Sequence, residues 1–102
     1  MKATRVQYTC NPEFVEQNKS NIANVMKEVR AANNPDFKYA TYIMEDGKTF
    51  MHFALVNKEG ADKFLFELAS FKKFREELNA SAPEVPPKNE QLSLVDSGFD
   101  IF

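Results

Sequence analysis

Hydrophobic and polar positions alternate over residues 3 to 10, "ATRVQYTC", with Thr4, Val6, Tyr8 and Cys10 on one side and Ala3, Arg5, Gln7 and Thr9 on the other. A period of two predicts a half-buried strand. The period changes at Asn11-Pro12, where Asn is a favoured N-cap and proline sits at a first helical position that needs no N–H. From Pro12 to about Ala32, Val15, Ile22, Val25, Met26 and Val29 fall in one stripe at about 3.6 residues per turn, with Phe14 at its margin. Asn33-Asn34-Pro35 closes this helix, because the residue before a proline is pushed out of the helical region. Asn18 interrupts the stripe, either as a partly exposed first-turn residue or as a polar group lining a pocket.

The next stretch, "YATYIMEDGKTFMHFALV", reads as two strands folded about Asp46-Gly47. A two-residue turn there sets Glu45 opposite Lys48 as a charge pair and carries the pairing back to Phe37 and Val56. One face of the hairpin then holds Phe37, Tyr39, Thr41 and Ile43 with Phe50, His52, Ala54 and Val56. The other holds Lys38, Ala40, Tyr42 and Met44 with Thr49, Met51, Phe53 and Leu55. Both faces are greasy, and alternation does not decide which one meets the helices.

After a turn at Asn57 to Gly60, the segment "ADKFLFELASFKKFREELNA" places Phe64, Leu68, Phe71, Phe74 and Leu78 on a helical stripe, with Phe66 off it. Ser70 is a candidate cap that would divide the segment into two helices. Residues 81 to 91, "SAPEVPPKNEQ", with three prolines, read as an extended surface connection. "LSLVDSGFDIF" resumes strand character from Leu92, with Ser97-Gly98 marking a bulge or kink.

The order strand, helix, strand, strand, helix, strand within 102 residues predicts one α+β domain, residues 1–102, of the ferredoxin-like split βαβ type: a four-stranded antiparallel sheet with two helices on one face. Two helices shield one face only. The other exposes up to about eight apolar side chains of the hairpin, more than a monomer ordinarily leaves open. Burying roughly 400–800 Å² of that face per chain is worth about 10–20 kcal/mol before the costs of association. The expected cover is a second copy of the chain, in a homodimer about a two-fold axis.

Composition narrows the partners. The chain is 43% hydrophobic with ten Phe and no Trp, and that aromatic balance reads first as core packing. A formal net charge of −2 supplies no pull toward phosphate backbones or anionic lipid, so neither nucleic acid nor membrane is an expected partner. A single cysteine, Cys10, and an opening segment without a continuous apolar stretch suit a cytoplasmic location.

The stretch "FKYATYIMEDGKTFMHFALV", the following "SFKKF" and the preceding "EQNKSNIANVMKEV" resemble the antibiotic biosynthesis monooxygenase-like group of the dimeric α+β barrel superfamily, and the terminal "LVDSGF" looks like that group's last strand. The resemblance covers most of the chain and is carried by structural motifs. It implies a ferredoxin-like protomer whose sheet joins a second protomer's in a dimeric α+β barrel. It also implies, among active members, oxidation of polycyclic aromatics without metal or flavin, or the opening of haem, in a cleft between sheet and helices; such pockets often hold a Trp, which this chain lacks.

The reading that results is a small dimeric barrel protein binding a small hydrophobic or aromatic molecule, with cofactor-free monooxygenase-type chemistry as its enzymatic form. Such chemistry needs a dry cavity and a few polar groups that hold and ionise a flat substrate. His52 is the catalytic candidate, as the one side chain that titrates near neutrality, with Asn18, Tyr39 and Thr41 as substrate-binding candidates. One His and one Cys, without clustered carboxylates, leave no expected metal site, and no phosphate-binding or nucleotide-binding glycine motif occurs among three glycines. A non-catalytic homodimer whose cavity is filled by its own side chains is the alternative, and a connected pocket reached by Tyr39 or His52 would separate the two. A more remote alternative is an RNA-binding module, since "KTFMHFAL" partly imitates the third-strand signature of the RNA recognition motif.

Overall fold

The computed structural model describes residues 1–102. Its strands are β1 (Lys2–Thr9), β2 (Phe37–Ile43), β3 (Thr49–Val56) and β4 (Val85–Leu92), and its helices are α1 (Val15–Ala32), α2 (Lys63–Glu67) and α3 (Ala69–Ala80). The strands form one antiparallel sheet in the order β2-β3-β1-β4. This is the ferredoxin-like α+β architecture expected from the order of elements.

Local chemistry places each boundary. The Asn11 side chain accepts from the Glu13 N–H, and a 3-10 turn at Pro12–Phe14 leads into α1. At the other end Asn33 takes a left-handed conformation, φ 47°, and its N–H returns to the Arg30 carbonyl, which stops the helix. The β2–β3 register is the one anticipated, with Phe37 opposite Val56 and Thr41 opposite His52. The turn is wider than the two-residue form: the Gly47 N–H bonds to the Met44 carbonyl and the Met44 N–H to the Thr49 carbonyl. Gly47 supplies the positive φ of 74° that this loop requires, and the Asp46 carboxylate accepts from the N–H groups of Lys48 and Thr49. Lys48 does not turn back on Glu45; its ammonium sits 2.7 Å from Glu84.

The structure decides which face of the hairpin meets the helices. Phe37, Phe50, His52 and Val56 are all buried, whereas Tyr42, from the opposite set, is 63% exposed. These inward side chains join Tyr8, Val25, Leu65, Phe71, Phe74 and Leu78 in a single core between the sheet and the helices. The same orientation removes the RNA-binding alternative. Phe50 and His52, the residues that would have to stack on bases, lie buried between sheet and helices.

Two expectations need correction. The second helical segment does divide, but at Leu68, whose extended backbone (ψ 128°) separates α2 from α3; Ser70 caps nothing and donates instead to the Glu28 carboxylate on α1. The last strand lies in the proline-containing stretch and not after it. β4 runs antiparallel to β1 from Val85 to Leu92, with a register shift between Gln7 and Thr9 where Pro86-Pro87 falls. Residues 93–102, including Ser97-Gly98, are not a strand. Edge position and the register shift explain it together: one of the two adjacent prolines turns its nitrogen to the open edge, and the ladder is interrupted where the other would face β1. The tail still has a course, for Phe102 lies 5.2 Å from the ammonium of Lys38 on β2, the opposite edge of the sheet. No helix is long and apolar enough to cross a membrane.

Candidate functional site

The sheet brings four hydrogen-bonding side chains of three strands to one spot beneath the helices. His52 stands on β3, flanked by β1 on one side and β2 on the other, so side chains from both neighbours converge on its ring. Its Nε2 lies 2.8 Å from the Tyr8 hydroxyl of β1. Its Nδ1 lies 2.8 Å from the Tyr39 hydroxyl and 2.9 Å from Thr41 Oγ1, both on β2. From above, Asn18 of α1 donates its Nδ2–H to the Tyr8 hydroxyl at 2.8 Å. Asn18 is fully buried, which settles its place in the apolar stripe, and its Oδ1 has no partner.

Aromatic rings hold this cluster. The Tyr8 ring is nearly parallel to that of Phe50, 5.6 Å between centroids, and Phe74 of α3 lies 5.3 Å from the imidazole. Withdrawal from water has a uniform effect on the titratable members. Burial lowers the His52 pKa to about 4, so the imidazole is neutral at pH 7. Burial raises Tyr8 and Tyr39 well above the ordinary phenol range, so both keep their protons. The Cys10 thiol, also buried, is pushed up to about 11 and is inert.

Beside the cluster opens a cavity of about 370 Å³ between the sheet and α2–α3. Phe37, Leu65, Phe71, Phe74 and Leu78 give it an apolar wall, and Tyr8, Tyr39 and His52 are its polar floor. At the rim stand Arg75, whose guanidinium lies 5.8 Å from the Phe71 ring, and Asn89 and Gln91 of β4. A volume in the range of about 300–1,000 Å³ with few polar groups is typical of a small-molecule site.

The residues anticipated for a site therefore come together, but not in one row. Tyr39 and His52 reach the cavity; Asn18 is behind Tyr8 and Thr41 borders a shallower groove against α1, shared with Tyr39. Tyr8 completes the cluster and was not anticipated. Its β1 position shares a face with Val6, but only the β1–β3 register, with Val6 opposite His52 and Tyr8 opposite Phe50, sets its hydroxyl against the imidazole. Asn21 was also missed: it is buried and donates to Glu77 of α3, tying the two long helices together. No group of three or more His, Cys, Asp or Glu side chains converges in the structure.

No known family model and no curated protein matches the chain by sequence. Solved structures do match by shape. An antibiotic biosynthesis monooxygenase candidate from Bacteriodes thetaiotaomicron superposes with a TM-score of 0.79 at 14% identity, over 99% of this chain and 95% of that one. A second candidate, from Nitrosomonas europaea, gives 0.77 at 13% identity over 94% and 100%. SnoaB of Streptomyces nogalater, a cofactor-independent oxygenase, gives 0.68 at 14% identity over 97% and 98%. At such identities shape is what is shared, along nearly the whole length of each protein, and the chain has the fold of the antibiotic biosynthesis monooxygenase-like proteins.

Proposed function

We propose that this protein is a homodimer that binds a small hydrophobic or aromatic molecule in the cavity floored by His52, and that it carries out cofactor-free monooxygenase-type chemistry there. The observation that carries this reading is the cavity itself, about 370 Å³ with an aromatic wall and a neutral hydrogen-bonded imidazole at its floor. A non-catalytic dimer would instead fill this space with its own side chains. SnoaB, whose fold this chain shares, is a cofactor-independent oxygenase, and that adds weight to the same side.

The chemistry suits such a floor. A fused aromatic with a methylene across the ring from a carbonyl, as in anthrone, becomes electron-rich when it loses a proton, and the resulting enolate reduces O₂, both methylene hydrogens leaving in the water formed. The net change, CH₂ + O₂ → C=O + H₂O, needs no external reductant. What the protein must supply is a dry pocket and polar groups that stabilise the oxygen on which negative charge develops. The Tyr39 hydroxyl at the floor of the cavity is such a group, and desolvation strengthens each hydrogen bond it makes.

The test is a titration of the purified protein with 1,4-naphthoquinone, anthrone and haem, followed by intrinsic tyrosine fluorescence and by NMR shifts of the His52 and Tyr39 rings, together with oxygen-electrode measurements on anthrone. Saturable shifts at the His52 ring and oxygen uptake with anthrone are expected. Absence of binding by all three would remove the reading, and binding without oxygen uptake would reduce it to a binding protein.

A further inference from the structure

Donor counting around His52 gives the cluster a direction. The Tyr8 hydroxyl has one proton, and its two neighbours are Asn18 Nδ2 and His52 Nε2. The Asn18 amide N–H donates into it. If Nε2 also carried a proton, the Tyr8 oxygen would accept twice and its own O–H, in a side chain only 1% exposed, would have no acceptor. Tyr8 therefore donates to Nε2, and the proton of the neutral ring resides on Nδ1. From Nδ1 it is shared between the oxygens of Tyr39 and Thr41, 2.8 and 2.9 Å away.

That order leaves one donor unspent on the cavity wall. The Tyr39 hydroxyl has no partner in the structure but Nδ1, toward which it acts as acceptor, so its own proton is free. We infer that the relay Asn18 → Tyr8 → His52 → Tyr39 presents a hydrogen-bond donor to the cavity, and that the site selects flat aromatics bearing an acceptor oxygen, a ring carbonyl or an ionised hydroxyl, over hydrocarbons of the same shape. His52 has both nitrogens engaged and acts on the ligand through Tyr39, as a positioning residue. The inference rests on the binding reading given above and adds the chemical class of the ligand and the residue that reads it.

Two measurements test it. In the ligand-free protein, ¹⁵N NMR of the imidazole should show the proton on Nδ1, and Tyr8→Phe, which removes the donor to Nε2, should abolish that preference. A proton on Nε2 overturns the relay whatever binds. The second compares 1,4-naphthoquinone with naphthalene, two probes of like shape. Tyr39→Phe should weaken naphthoquinone binding by about tenfold and leave naphthalene within about twofold, the size of one lost hydrogen bond. If both probes bind and Tyr39→Phe weakens them equally, or weakens neither, the acceptor preference is wrong while the binding reading stands. If neither binds the wild-type chain, the preference falls, and the binding reading falls with it only when anthrone and haem also fail to bind.

Discussion

At the scale of the residue, His52 decides most. It is 4% exposed, and the groups facing it are the hydroxyls of Tyr8, Tyr39 and Thr41 and the ring of Phe74, none of them charged at neutral pH; Arg75 and Asp62 stand on the cavity wall. Burial holds its folded pKa near 4 against an ordinary value of 6.5. As pH falls from about 6.5 to about 4, the unfolded chain takes up a proton there that the folded chain refuses. This group's contribution to stability is therefore full above the ordinary value, declines through that window and levels off below it, a loss on the order of 3 kcal/mol. Urea midpoints of the wild type and of His52→Asn, measured from pH 7.5 to pH 4, should converge as the pH drops; parallel curves would show that His52 does not carry the dependence. His52→Ala removes the acceptor of a buried hydroxyl and enlarges a cavity already open, so a cost of about 2–4 kcal/mol is expected, with the fold retained. A circular dichroism melt reads that cost, and a chain unfolded at 25 °C would mark the imidazole as a keystone of packing.

At the scale of the element, what the sequence made legible follows from which signals are local. The β2–β3 pairing could be read because a hairpin's register is set by its own turn, and Gly47 marked the turn. The long helix could be read because Asn11-Pro12 and Asn33 frame its stripe. The face of the hairpin that meets the helices could not, since Phe50 and Phe53 are equally apolar and only tertiary contact separates them. Tyr8 escaped notice as a site residue for the same reason, because its partner is 44 positions away. β4 was hidden by its own composition: Pro86, Pro87, Lys88, Asn89 and Glu90 have the polarity of a linker, whereas Leu92, Leu94, Phe99 and Ile101 imitate a strand. An edge strand with little buried surface is held by its ladder and by the Arg5–Glu90 pair at 2.6 Å. Those two side chains are 31% and 37% exposed, so Glu90→Gln should lower the melting temperature only slightly, and the difference should shrink in 0.5 M salt. Thermal melts at low and high salt check it, and a loss that grows with salt would contradict the assignment.

At the scale of the whole molecule, the remaining quantity is the outer face of the sheet. Met51, Phe53 and Leu55 of β3 lie there with Ala40 and Tyr42 of β2, and none of the three helices touches that side. The tail meets the sheet at Phe102, beside the Lys38 ammonium. Met51, Phe53 and Leu55 are half-buried, but Tyr42 remains 63% exposed, and the tail adds Leu94, Val95 and Phe99 at 54%, 98% and 72%. A surface of this kind on a chain of 102 residues is better accounted for by an interface than by open water. A two-fold arrangement would place each copy's β3 near the other's, so a charge introduced at the centre would be buried twice. Phe53→Glu is thus expected to weaken self-association by more than about 100-fold, because an unpaired carboxylate in a desolvated contact costs several kcal/mol. It should leave the protomer folded, since the side chain points away from the core. Sedimentation equilibrium at micromolar concentration distinguishes the outcomes: a wild-type dimer and a monomeric variant support the pairing of sheets, whereas a wild-type monomer would show that the tail and water suffice to cover this face. The cavity lies on the other side of the sheet, so ligand titration of the monomeric variant further shows whether binding depends on the partner copy at all.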